Sequence, residues 1–319
     1  MPEGHTIHRL AARHREFFAG QPVAVSSPQG RFASGALLLD GTALRDTEAV
    51  GKHLLHHFEN GRSLHVHLGL YGRFSDGELP APAPVGEVRL RMTGGGHWLD
   101  LRGPAACEVL DPGEVGLLRS RLGVDPLRAD ADPAPAYARI RRSPTPVAGL
   151  LLNQEIVAGT GLIFVTEALF RAGLPPTMPG RDLTPAAWAG LWADLRALMA
   201  YAVTTGRIDT VRPEHTPEAM GRPPRVDRHG GEVYVYRRAG QPCLVCGTPV
   251  RHGVLATRNS YWCPTCQRLP RRRPQKVLAR SLACASPPAR AAVQSPVSVG
   301  WNRTSEMSVI PVQRSQSVK

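Results

Sequence analysis

Two close pairs of cysteines, Cys243-Leu-Val-Cys246 and Cys263-Pro-Thr-Cys266, constrain this chain more than any other feature. Each pair fits a tight turn, and two such turns can set four thiolates tetrahedrally around one Zn²⁺. The segment from Glu232 to Leu269, about 38 residues, is too short to hold together without such a staple. Four sulfurs fill every position on the ion, so the expected zinc is structural; a catalytic zinc keeps one position open. A redox reading of the pairs lacks the βαβ context it needs. Cys107 and Cys284 are left over.

The rest of the 319-residue chain is long enough for two or three small domains with real cores. Mean hydropathy is -0.20. The apolar run near Leu150 falls far short of the roughly 20 residues that cross a bilayer, so no membrane partner is expected. The N-terminus, MPEGHTIHRL, carries charge where a secretory signal is apolar. A cytoplasmic, nucleoid-associated monomer without a small-molecule cofactor is expected. Formal net charge is +13, but residues 270–319 hold nine basic side chains against one acid, Glu306. That tail accounts for +8 and leaves +5 for the remainder. A polyanion such as DNA or RNA is favoured by the total and only weakly by the part before the tail.

Hydrophobic periodicity divides the chain. Residues 3–18 read as an amphipathic helix with Ile7, Leu10, Ala11, Phe17 and Phe18 on one face and Gly20 at its end. From 22 to 110, short runs punctuated by Gly, Asn-Gly and Asp-Gly predict antiparallel strands at Gly35–Asp40, His53–Phe58, Ser63–Leu68 and Val88–Met92. A β-sandwich or barrel follows over residues 1–127. The polar, proline-marked stretch 128–137 predicts a linker. Helical patterns at Val147–Ala158, Leu162–Ala172 and Pro185–Thr204 predict a helical domain over 138–231. The cysteine unit occupies 232–269, and 270–319 reads as a disordered basic tail. The fold class is α+β and multidomain.

Three further features carry chemistry in more than one way. Arg258, between the cysteine pairs, could point outward from a hairpin toward a phosphate or stand as a solvated surface arginine. Gly159-Thr-Gly161 could offer backbone N–H groups to a phosphate at a helix start or form a plain interhelical turn. Pro2, freed by loss of Met1, would present a secondary amine able to form an iminium, with Glu3 beside it as an acid or base. Pro and Glu also commonly just open a helix.

In one order, the chain carries Met-Pro-Glu-Gly, Gly51-Lys52-His53-Leu54-Leu55, Leu70-Tyr71-Gly72, Arg121-Leu-Gly-Val-Asp-Pro, Leu151-Leu-Asn-Gln-Glu-Ile-Val-Ala-Gly-Thr-Gly, Glu167-Ala-Leu-Phe and the four-cysteine unit. The series resembles the formamidopyrimidine-DNA glycosylase and endonuclease VIII family over residues 1–269, and its wording is most similar to the actinobacterial endonuclease VIII-like branch. The resemblance implies an N-terminal catalytic β-sandwich, a helix-two-turn-helix DNA-binding domain and a zinc finger. It implies a bifunctional enzyme of base-excision repair acting on damaged DNA, with oxidised pyrimidines preferred. Pro2 would be the nucleophile and Glu3 the proton donor. Lys52 would assist β-elimination, and Arg258 would grip the lesion phosphate and serve δ-elimination. Leu70 and Tyr71 would fill the gap left by a flipped nucleotide; packing at a strand end is their other reading.

Three positions depart from the family pattern: Gly69 stands for a glutamine of one branch, Leu162 for an asparagine that holds phosphate, and Asn153 for an aspartate. Leucine cannot donate a hydrogen bond. The backbone N–H groups near Gly159 and Gly161, with Arg121, are therefore expected to take the phosphate. Two other classes compete. A non-catalytic zinc-finger DNA-binding protein leaves the Pro2-Glu3 start unexplained. A metallohydrolase would need His56, His57, His65 and His67 to converge without a carboxylate motif.

Overall fold

Alternating side chains in the first half build two sheets around one core, and the computed structural model describes residues 2–227, 231–255 and 257–268. The chain opens with α1 (Gly4–Phe18), then β1 (Gln21–Pro22), β2 (Ala24–Ser26), α2 (Ala33–Leu39), β3 (Ala43–Val50), β4 (His53–Phe58), β5 (Ser63–His67), β6 (Arg73–Glu78), β7 (Val88–Gly94), β8 (His97–Arg102) and β9 (Ala106–Leu110). One sheet has the order β1-β3-β4-β5-β9 and the other β2-β7-β8-β6. Their inner faces, with Leu54, Phe58, Leu64, Val66, Met92 and Leu101, close on Ile7 and Phe18 of α1. The outer face of the five-stranded sheet is also covered. There Val50 and Leu55 pack on Val115 of α3 (Pro112–Ser120). Asp111 and Glu114 close a capping box at the start of that helix, which the strand pattern does not predict.

Gly35–Asp40 is helix α2, not a strand. Leu39 and Ala36 are buried while Leu37 and Leu38 stand exposed, which is the period of a helix turn. The ring of Phe32 lies where a side chain at Gly35 would be.

The helical domain comprises α4 (Ala134–Ile140), α5 (Val147–Leu152), α6 (Leu162–Arg171) and α7 (Pro185–Thr205), with short α8 (Pro217–Met220) following them. Leu151, Phe164, Leu191 and Met199 share its core. The stretch expected to be a linker, 128–137, includes the first turn of α4; its prolines sit where a helix start tolerates them, with Pro133 at the N-cap position. The helix expected over Val147–Ala158 stops at Leu152. Asn153 turns its side chain onto the Glu155 N–H at 2.9 Å, a local alternative to helix continuation.

The cysteine-bearing unit folds as a hairpin of β10 (Arg251–Leu255) and β11 (Arg258–Trp262), paired in register from Arg251–Trp262 to Leu255–Arg258. Glu167 of α6 anchors the chain entering it: its buried carboxylate accepts the N–H groups of Tyr234, Val235 and Tyr236 at 2.7, 2.9 and 2.8 Å. Gln267 donates to the Leu174 carbonyl at 2.8 Å from the far side. The expected tail, with Cys284, lies outside the described residues.

Candidate active site

Glu3 occupies the N-cap position of α1, yet its side chain caps a different helix. Its carboxylate accepts the N–H groups of Gly161 at 3.0 Å, Ile163 at 2.8 Å and Phe164 at 3.4 Å, which α6 cannot satisfy internally. The approach is close enough to dictate sequence. A Cβ at Gly161 would lie 2.3 Å from the Glu3 carboxyl carbon, and one at Gly4 would lie 2.9 Å from the Gly159 Cα. The Gly4 N–H donates to the Gly159 carbonyl at 2.7 Å, so the start of the chain is sewn to the α5–α6 loop by backbone as well as by the Glu3 side chain.

The N–H groups of Gly159 and Gly161, expected to take a phosphate, already have acceptors within the protein. The Gly161 N–H is used by Glu3, and the Gly159 N–H donates to Gln154 Oε1 at 3.0 Å. The turn needs glycine for other reasons: Gly159 takes φ +84, and a Cβ at Gly161 would strike Glu3. Arg121 is exposed at the C-terminal end of α3 and is not among the residues lining the cavity described next.

A cavity of about 720 Å³ gathers four of the other candidates. Pro2 lines it ahead of α1, Lys52 from the β3–β4 turn, Leu70 from the loop after β5, and Arg258 from the first position of β11, at the turn of the hairpin. Burial holds the Lys52 ammonium below its ordinary pKa; the Glu3 charge opposes the shift and Arg258 adds to it. Burial raises the Glu3 carboxyl above its usual value, against the Lys52 charge and its three N–H donors. An acid readier to hold its proton thus sits near an amine readier to lose one. The turn that carries Lys52 is fixed by Asp125, whose Oδ2 accepts the Gly51 N–H at 2.7 Å and meets His8 Nε2 at 2.8 Å.

Leu70 and Tyr71 are 63% and 82% exposed, so neither packs at a strand end. The Gly72 N–H donates to the Leu68 carbonyl at 2.9 Å and holds the pair on a tight turn at the cavity rim. Gly69 adopts φ +65, a left-handed conformation that glycine takes without strain. Leu162 lines the cavity and also packs on the helical core, presenting an apolar wall.

The four cysteine sulfurs lie within 4.8 Å of one another, with Cys243–Cys266 at 3.9 Å and Cys246–Cys263 at 3.5 Å. Zn–S bonds of about 2.3 Å in a tetrahedron put sulfurs roughly 3.8 Å apart, so one structural zinc fits. The ion would hold the base of the hairpin that carries Arg258.

The four histidines that a metallohydrolase would need diverge. His56 turns inward to His14 at 3.0 Å, His57 to Ser63 and Glu48, and His65 to His53 and Glu108, while His67 lines the cavity. Among the described residues only the cysteines form a metal-ligating group. His67, Gln154 and Asn259 line the cavity without having been singled out as parts of this site. His67 had a signal: it directly precedes the Leu68-Gly69-Leu70 loop, in strand register with the residue after Lys52.

Comparison with known proteins gives three family matches: the formamidopyrimidine-DNA glycosylase N-terminal domain over residues 1–107, its H2TH domain over 122–212, and the zinc finger found in FPG and IleRS over 240–269. The Endonuclease 8 1 of Mycobacterium tuberculosis is 48% identical over 274 residues, covering 84% of this chain and 100% of that protein. The formamidopyrimidine-DNA glycosylase of Thermus thermophilus is 34% identical, covering 84% of this chain and 98% of that one. The crystal structure of the MutM (Fpg) protein of Thermus thermophilus superposes with a TM-score of 0.65 at 32% identity, over 83% of this chain and 98% of that chain. A Lactococcus lactis Fpg in complex with an abasic site containing DNA matches in fold, with a TM-score of 0.68 at 21% identity, over 84% of this chain and 100% of that one.

Proposed function

The chain belongs to the formamidopyrimidine-DNA glycosylase and endonuclease VIII family, a DNA glycosylase and abasic-site lyase for oxidised bases, and from that premise we propose an N-terminal proline mechanism acting preferentially on oxidised pyrimidines. The observation that carries the mechanism is the meeting of Pro2 and Lys52 at one cavity, with the buried Glu3 carboxyl adjacent to Pro2 in the chain and coupled to Lys52 by charge. The pyrimidine preference rests on the endonuclease VIII-like wording and on the name of the mycobacterial relative.

Once Met1 is removed, the Pro2 ring nitrogen attacks C1′ of the damaged nucleotide and the C1′–N bond breaks. Glu3 supplies a proton to the sugar or the leaving group, favoured by its raised pKa. The C1′–O4′ bond then opens, with a proton placed on O4′, and the adduct becomes an iminium joining Pro2 to C1′. Removal of a C2′ proton, assisted by Lys52, expels the 3′ phosphate; a second elimination expels the 5′ phosphate and leaves a one-nucleotide gap. Arg258 would hold the lesion phosphate through these steps. A base cannot react at C1′ while stacked, so the nucleotide must leave the duplex, and Leu70 with Tyr71 would fill its place. A non-catalytic finger protein has no use for this cavity.

Borohydride in the presence of abasic-site DNA should fix the protein to the oligonucleotide through Pro2. Pro2→Gly should weaken or abolish that adduct, as should retention of Met1; an undiminished adduct in both would overturn the assignment. A panel of defined lesions in identical oligonucleotides tests the pyrimidine preference.

A further inference from the structure

Directly after Lys52, the outer face of the five-stranded sheet carries a line of polar groups that the steps above do not use. His53 of β4 meets His65 of β5 through Nδ1 and Nε2 at 2.8 Å, and His65 Nδ1 meets Glu108 Oε1 of β9 at 2.9 Å. At the other end, the His53 ring lies 4.9 Å from that of His67, its cross-strand partner, which lines the cavity. The line is buried at its middle: the Glu108 side chain is 55% exposed and that of His65 only 6%, while His53 and His67 are part-buried. The series thus runs from bulk water to the edge of the reaction space.

We propose that Glu108, His65 and His53 form a proton relay that carries a proton from the Lys52–His67 edge of the cavity to solvent during the elimination steps. The relay rests on the reading of Lys52 given above. With Glu108 ionised, His65 donates from Nδ1 to the carboxylate and leaves its Nε2 to accept from His53 Nδ1–H. His53 Nε2 is then the basic end. A proton arriving there moves the Nδ1 proton of His53 onto His65 Nε2, and the Nδ1 proton of His65 onto Glu108, which releases it to water. One proton enters and one leaves, and no bond to carbon changes.

The surroundings favour transfer by exchange over storage of charge. Burial, with the charges of His65, His67 and Lys52, lowers the His53 pKa to about 3, and burial with His65 and Lys52 also lowers that of His67. Neutral rings pass a proton in concert without holding an imidazolium beside the Lys52 ammonium. The groups facing the relay are Lys52 in the β3–β4 turn, His67 on β5 and Glu108 on β9; Arg258 and Glu3 act through Lys52. Val115 and Leu118 of α3 are the apolar cover of the same sheet face. Lys52 must shed a proton to serve as a base, and this line gives that proton a way out across β5 to the exposed carboxylate on β9.

The test uses the full-length zinc-loaded protein with pre-formed abasic-site DNA in single turnover. Glu108→Gln, at an exposed position that should fold normally, and His65→Gln should each slow strand cleavage about tenfold and change the form of its pH profile, with the borohydride adduct unchanged. Added imidazole should restore most of the Glu108→Gln loss, which a purely structural role would not allow. An unchanged pH profile with no response to imidazole would overturn the relay. If the wild-type protein forms no adduct, the reading of Pro2 and Lys52 falls, and the relay with it.

Discussion

Two fully buried carboxylates meet α6, and they differ in almost nothing but their surroundings. Glu3 receives three backbone N–H groups from the start of the helix; Glu167, projecting from its second turn, receives three from Tyr234, Val235 and Tyr236 and the Thr210 hydroxyl at 2.7 Å. Burial and donor count would rank Glu167 as the more elaborate site. What separates them is the neighbour each faces. Glu3 adjoins the cavity that holds Pro2 and feels the charge of Lys52 there, whereas Glu167 is enclosed between α6 and the finger, with Arg171 and Arg238 near enough to feel its charge. The same burial and the same kind of donors thus leave one carboxylate beside an amine and the other beside two guanidinium groups.

The largest expected effect separates the two in activity. Glu3→Gln should lower lesion excision about a thousandfold while still reacting with pre-formed abasic sites, compared in single-turnover assays on the two substrates. Glu167→Gln should act on stability, turning an amide donor toward backbone donors. A cost of about 2–4 kcal/mol is expected, read as a lower urea midpoint, with excision per folded molecule retained. Zinc chelation should mimic that loss from the other end of the finger: strand cleavage falls about a hundredfold as Arg258 loses its support, and returns on adding one equivalent of zinc. Tyr71→Ala, at an exposed position with no part in the core, should slow excision from duplex about tenfold and leave a single-stranded lesion unaffected.

The smallest effect is a sign. Burial raises the folded-state pKa of Glu3 above its unfolded value, so the contribution of this group to stability is present at low pH and lost as pH rises through the folded pKa. The melting temperature of Glu3→Gln relative to wild type should therefore climb from pH 4.5 upward, measured by calorimetry. A flat difference would mean that the Lys52 charge and the three N–H donors cancel burial, and a falling one that they outweigh it.

Much of this arrangement is legible in the sequence because it is local. The zinc ligands follow from spacing, α1 from its apolar face, and β4 and β5 from short β-rich runs between turn residues. The meeting of Glu3 with α6 joins residues roughly 160 positions apart, and nothing near Glu3 in sequence distinguishes a carboxylate that caps its own helix from one that caps another. The same gap hides the partner of the Gly161 amide, Glu3, whereas Gln154, which takes the Gly159 N–H, is only five residues away and belongs to the same turn. Helix α2 is hidden because Gly35 and Asp40 mark turns in strands and helix ends alike.

The reach of Glu3 across the molecule has a practical corollary for anyone dissecting it. Residues 138–231 produced as a separate fragment would begin α6 with three amides that have lost their carboxylate acceptor and are left to water. Such a fragment should fray at that end, and a short synthetic peptide bearing the first turns of the intact polypeptide should bind it there and restore helicity.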